Sequence, residues 1–155
     1  MTDIDPRLDH DRELRHDADL EEVLELLLWH AINPRQVWLL FLDEEDRLVG
    51  PIMPCDDYPD DPAELMHTGD LGSLPFADVL TNRLTLMLET IGATQVVLVW
   101  ERPGPSEFAN DELRWAAAMA RSSGEAGVRL RAQFVLHDGG LRQLTPDDYV
   151  ERRGE

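Results

Sequence analysis

The 155-residue chain has no lysine, a single cysteine and no long apolar run, and each absence narrows what it can be. All 14 cations are arginine, set against 32 Asp and Glu for a formal charge of -18. Such a surface repels a phosphate backbone, whose binding rests on cations that neutralise phosphates, so nucleic acid is not an expected partner unless the arginines cluster on one face. One cysteine, Cys55, cannot form an internal disulfide. The longest apolar runs reach about half of what a membrane span needs. The opening Met1-Thr2-Asp3-Ile4-Asp5-Pro6-Arg7 lacks the basic and apolar regions of a signal peptide, and a cytoplasmic protein without a membrane segment is expected. There is no Gly-rich phosphate loop, no dinucleotide fingerprint and no Gly-x-Ser-x-Gly elbow: Ser106 follows Pro103-Gly104-Pro105 instead.

What is present reads as one domain with tails. Residues 1–18 are rich in Asp, Glu, Arg and His and too poor in apolar groups to offset ordering entropy, which predicts an acidic, flexible arm. A folded domain is expected over 19–150, followed by a tail at 151–155. Asp19 can cap a helix with Glu22 three residues on, and Leu20, Val23, Leu24, Leu27 and Leu28 form its apolar stripe up to Asn33-Pro34. Val37-Trp38-Leu39-Leu40-Phe41-Leu42 predicts a central strand, turned by Asp43-Glu44-Glu45-Asp46 into a hairpin partner at 47–53. Residues 55–62 read as a Pro- and Asp-rich loop. Phe76, Val79, Leu80, Leu84, Met87, Leu88 and Ile91 then repeat at helical spacing up to Gly92.

Val96-Val97-Leu98-Val99-Trp100 predicts a second buried strand, and Asn110 or Asp111 opens a helix through Ser123. A break at Gly124 to Gly127 precedes a strand over 128–136, then the turn Asp138-Gly139-Gly140 and a short strand at 141–144. This order builds an α/β fold, a three-layer α-β-α sandwich with a mixed sheet.

Several of these signposts, in the same order, resemble the JAB/MPN metalloprotein family, most closely the C-terminal domain of the bacterial RadC proteins. They are the hairpin from Val37 to Val49, the strand Val96 to Val99 running into Trp100-Glu101-Arg102-Pro103, the helix opening at Asp111-Glu112-Leu113, Ala126-Gly127-Val128, and Phe134 to Gly140. The resemblance covers residues 34–148 and implies a cytidine-deaminase-like sandwich. In that family a His-x-His-Pro motif and a carboxylate hold zinc, with an open position for the attacking water. By position, Trp100 and Arg102 stand where the histidines would be, and Asp111 keeps the carboxylate. Arg35 or Gln36 falls at the general-base Glu, and Phe108 at the oxyanion Ser. The resemblance therefore implies a non-catalytic relative without a zinc centre or other cofactor. Arg102 and Asp111 could form a charge-assisted pair in place of the metal, or Asp111 could simply cap its helix.

The expected role is a protein-interaction, regulatory or scaffolding module with a protein partner, of basic character given the charge; a homo-oligomer stays open. Its expected docking surfaces are the loop from Trp100 to Phe108 and the acidic loop from Cys55 to Pro62. Two alternatives are carried beside it: a metal-dependent hydrolase using His67, Asp70, His137 and Asp138, and a pocket in which Arg102 binds a small anion. Cys55 with Asp56, Asp57, Asp60 and Asp61 is the densest ligand cluster, but its spacing fits no EF-hand and reads as a solvated loop. His137-Asp138 reads as a turn, and His10, His16 and His30 as surface residues. Trp29, Trp38 and Trp115 read as core or interface residues, and Trp100 as a plug or contact at the mouth of the old site.

Overall fold

The computed structural model describes residues 5–9 and 11–149; His10, residues 1–4 and the tail expected at 151–155 lie outside the described residues. A five-stranded sheet has the order β2-β1-β5-β6-β7, formed by β1 (Gln36–Leu42), β2 (Leu48–Cys55), β5 (Gln95–Glu101), β6 (Arg129–His137) and β7 (Gly140–Leu144). β5 and β6 run parallel and the other neighbours antiparallel, so the sheet is mixed. The strand pattern explains the layers. Val37, Leu39, Phe41, Val96, Leu98, Trp100 and Val135 face one core, packed under α2 (Phe76–Ile91) and α3 (Asn110–Ala126). Leu40, Leu42, Val97, Val99, Phe134 and Leu136 alternate with them and meet α1 (Asp17–Leu28) on the other side. The result is the three-layer α-β-α sandwich. β1 and β5 read as unbroken apolar runs because both of their faces are covered.

Several boundaries differ from the sequence expectation. Helix α1 starts at Asp17, where the Asp19 carboxylate reaches back to accept the backbone N–H of His16 at 3.2 Å. It ends at Leu28, well before Asn33-Pro34, because Trp29 adopts φ 65° and turns the chain away. Helix α3 absorbs Gly124 and stops at Gly127, which takes the left-handed conformation with φ 74°. A small antiparallel hairpin, β3 (Leu65–Thr68) with β4 (Gly72–Pro75), was not expected, since Gly69, Asp70 and Gly72 mask its short strands.

Residues 6–8 form a 3-10 turn and 146–149 a short helix, α4 (Pro146–Tyr149). The segment whose composition suggested a free arm is anchored at Leu14, which is 1% exposed. Its N–H donates to Asp46 O at 2.7 Å, and its carbonyl accepts from Arg131 at 2.9 Å. These contacts, with Arg12 bonded to Asp19 and Glu22 and Arg131 also reaching Arg15 O, hold a segment whose average composition says nothing of them.

The edge strand β2 carries Pro51 and Pro54, which cost it little because one side of an edge has no partner to donate to. Gly50 of the same strand sits at φ 70°, and an added Cβ would meet Ile91 Cγ2 at 2.7 Å. Gly50→Ala is expected to cost about 2 kcal/mol through backbone strain and overpacking, read as a lower midpoint in urea with an unchanged slope.

Candidate functional site

The C-terminal end of β5, the start of β1 and the start of α3 converge on a cavity of about 200 Å³ lined by Arg35, Tyr58, Trp100, Glu101, Arg102, Ala109, Asp111, Glu112 and Trp115. Four of the five residues singled out by position, Arg35, Trp100, Arg102 and Asp111, thus line one place in the fold. Phe108 is not among them. It packs against the core, with the guanidinium of Arg142 4.0 Å from its ring centroid. Gln36 points elsewhere, donating to Glu101 Oε1 at 2.9 Å.

Of the two roles left open for Asp111, pairing with Arg102 is not taken; Arg102 pairs with Glu112. Its Nε and Nη2 donate to the two Glu112 carboxylate oxygens, with the side chains 16% and 7% exposed. The remaining donors go to the carbonyls of Pro103, Pro105 and Glu107, so the guanidinium stitches its own loop together. Helical geometry separates the adjacent acids: successive residues point about 100° apart, and it is the Glu112 carboxylate that reaches the guanidinium. Nor does Asp111 cap the helix, which begins at Asn110. Glu112 satisfies that end instead, accepting from the Ala109 N–H at 2.9 Å.

Aromatic rings form one wall of the cavity. Trp100 and Trp115 are 3% and 2% exposed with centroids 5.5 Å apart, and Tyr58 sets its edge against both at 5.7 and 5.4 Å. Tyr58 comes from the acidic loop. Arg35 stacks on its ring at 3.9 Å, donates to the carbonyls of Tyr58 and Pro59, and pairs with Asp60 at 3.3 Å. Trp115 Nε1 also donates to Pro59 O, at 2.9 Å. Burial pushes the Tyr58 hydroxyl well above its ordinary value. Trp100 donates to Gln133 Oε1 at 3.0 Å, and Gln133 in turn donates to Ala116 O. Trp100 and Tyr58, one aromatic group from each of the two expected docking loops, are therefore core residues. The remaining cavity falls below the range of about 300–1,000 Å³ typical of small-molecule sites.

The other candidates are scattered. His67 bonds Ser73 across the β3–β4 hairpin, and Asp70 pairs with Arg83 at 2.8 Å. His137 closes β6 next to the start of the Arg102 loop, where the Arg102 N–H donates to Leu136 O. It is 9% exposed, and its Nδ1 accepts the Gly139 N–H at 3.1 Å, leaving the proton on Nε2. Burial, Arg102 and Arg142 all lower its pKa. A backbone amide, not Asp138, thus orients the ring. Among the described residues no three His, Cys, Asp or Glu side chains gather closely enough to hold a metal ion. Burial raises the Cys55 thiol, and the neighbouring Asp56, Asp57, Asp60 and Asp61 are all exposed. The carbonyl of Ser106 accepts from Arg142. His16 precedes α1, and His30 packs against Trp29.

Glu101 was not anticipated. Although 2% exposed, its carboxylate accepts from the backbone N–H groups of Ile32 and Asn33 at 2.6 and 2.7 Å, and from the side chains of Asn33, Gln36 and Trp38. Burial alone would raise its pKa, but these donors outweigh it and hold it at about 2. One acid so ties the loop between α1 and β1 to the end of β5.

No protein-family model matches the chain. A comparison with curated proteins also finds no match. Among the described residues, no helix is long and apolar enough to cross a membrane.

Proposed function

We propose that this chain is a JAB/MPN-like domain, related to the C-terminal domain of RadC proteins, in which packing has replaced the zinc centre. On this reading it is a cytoplasmic protein-interaction, regulatory or scaffolding module, with a protein partner. The observation that carries the reading is the state of Arg102, whose five N–H groups are all occupied by Glu112 and loop carbonyls where a metal-binding histidine would stand. The aromatic packing of Tyr58, Trp100 and Trp115 beside it supports the same reading. A pocket in which Arg102 recognises an anion would need a free donor, and this guanidinium has none to offer.

Purified protein loaded with zinc and dialysed at neutral pH is expected to retain less than about a tenth of an equivalent by elemental analysis, since tight binding needs several deprotonated ligands at fixed geometry. Retention of stoichiometric zinc overturns the proposal.

A further inference from the structure

Two large apolar side chains stand in water on one short loop: Trp29 is 71% exposed and Ile32 74%. The loop between α1 and β1 is held in that posture from several sides. Trp29 itself adopts φ 65° and ψ -83°, the rare and strained γ-turn region, which a bulky residue seldom enters. Its N–H donates to Glu25 O at 2.9 Å, and its ring meets His30 edge-on at 4.4 Å. Ala31 N–H donates to His137 O at 2.9 Å, while Ile32 and Asn33 are clasped by the buried Glu101. A buried anion and a strained residue thus fix a loop whose apolar groups contribute little to either core. Strain of this kind, kept by surrounding structure, clusters where proteins bind.

The surroundings say what would fit. Asp17, Glu21 and Glu25 repeat every four residues along one edge of α1, leading to the loop. The turn that anchors Ala31 carries exposed Asp138. The nearest cation on that turn's strand, Arg142, is occupied by the Phe108 ring and Ser106 O. A second copy of the chain carries the same net charge of -18 and the same acids beside its loop, so like-charge repulsion disfavours self-association there.

We infer that the loop Trp29–Asn33 is a preorganised docking site for a basic polypeptide surface, whose apolar pocket receives the Trp29 indole and Ile32 while its cations meet Glu21, Glu25 and Asp138. This deepens the interaction-module reading and moves its contact surface away from the cavity beside Trp100. A rigid aromatic anchor with an acidic rim is the composition of a binding hot spot, and rigidity lowers the ordering cost of association.

The test uses the full chain and two synthetic amphipathic helical peptides sharing an apolar face of Leu and Phe, one with arginine and one with glutamate on the polar face. The arginine peptide is expected to bind, shift tryptophan emission to the blue, and bind more weakly as salt rises. Affinity should fall by about tenfold or more in Trp29→Gly and in Ile32→Ser, and be unchanged in Leu86→Ser, an exposed apolar residue on α2. Trp29→Gly should melt no lower than the parent, because glycine accepts positive φ without strain. No binding of the arginine peptide, equal binding by Trp29→Gly or by the glutamate peptide, or a dimer that Trp29→Gly dissolves would each overturn the inference. These outcomes leave the zinc measurement untouched, so the loop can fail while the domain reading stands.

Discussion

Glu101→Gln is expected to destabilise the protein by about 3 kcal/mol near neutral pH, and the deficit should vanish in acid. The magnitude follows from the carboxyl itself: its ordinary value is 4.5 and the fold holds it at about 2, a gap worth about 3 kcal/mol of folding free energy at 1.4 kcal/mol per unit. The sign is that of a depressed acid. The contribution is fully present above about pH 4.5, where the unfolded chain would also be ionised, and is lost as pH falls through 2. Glutamine keeps the shape but turns one acceptor into a donor facing N–H groups that have no other partner. Urea titrations of parent and variant from pH 7 to pH 2 check this. Taking the difference between the two proteins removes the other acids, including the surface pair of Asp70 with Arg83. A deficit that stays constant over the whole range would mean that the pattern of acceptors, not the charge, is what the site requires. The same variant should loosen the Trp29–Asn33 loop, seen as faster amide exchange at Ile32 and Asn33.

The sheet was legible because its central strands advertise themselves: Leu39-Leu40-Phe41-Leu42 and Val96-Val97-Leu98-Val99 are buried on both faces and so contain no polar residue. The place of the site was legible for a related reason, since it lies where β5 ends and α3 begins. Its chemistry was not. Glu101 and Glu112 are two acids among 32, and nothing local marks them as buried, because the partners that hold Glu101 lie 68 and 69 residues away in the chain. Glu112 as the partner of Arg102 was hidden because the resemblance points by position to Asp111 alone, and only side-chain direction on the helix distinguishes the two neighbours. Tyr58 was hidden by its company. Asp56, Asp57, Asp60 and Asp61 make its loop read as solvated, yet the one aromatic residue among them turns inward and carries the loop onto Trp100 and Trp115.

Arg102→Ala should produce a loss at least as large, about 3–5 kcal/mol, because removing one partner of a buried pair leaves the other uncompensated. Glu112 is 7% exposed and would keep only the Ala109 N–H and its helix terminus as stabilising groups. For a domain of this size the loss corresponds to a melting temperature lower by about 10 °C. The carbonyls of Pro105 and Glu107 lose their donor together, so amide exchange across residues 103–109 should accelerate more than elsewhere. Arg102→Lys should recover little, since an ammonium cannot reach a carboxylate and several diverging carbonyls with one planar fork. The decisive measurement is a double-mutant cycle with Glu112→Gln. If the two side chains act as one clamp, the combined loss falls short of the sum of the single losses by about 1–3 kcal/mol. Additive losses would mean that Arg102 works through the loop carbonyls alone, with the carboxylate serving only the helix end. A fall in melting temperature below about 2 °C for Arg102→Ala would remove the clamp altogether. The proposal that this arginine replaces a metal as the local brace would go with it, since a brace that can be deleted without cost holds nothing in place.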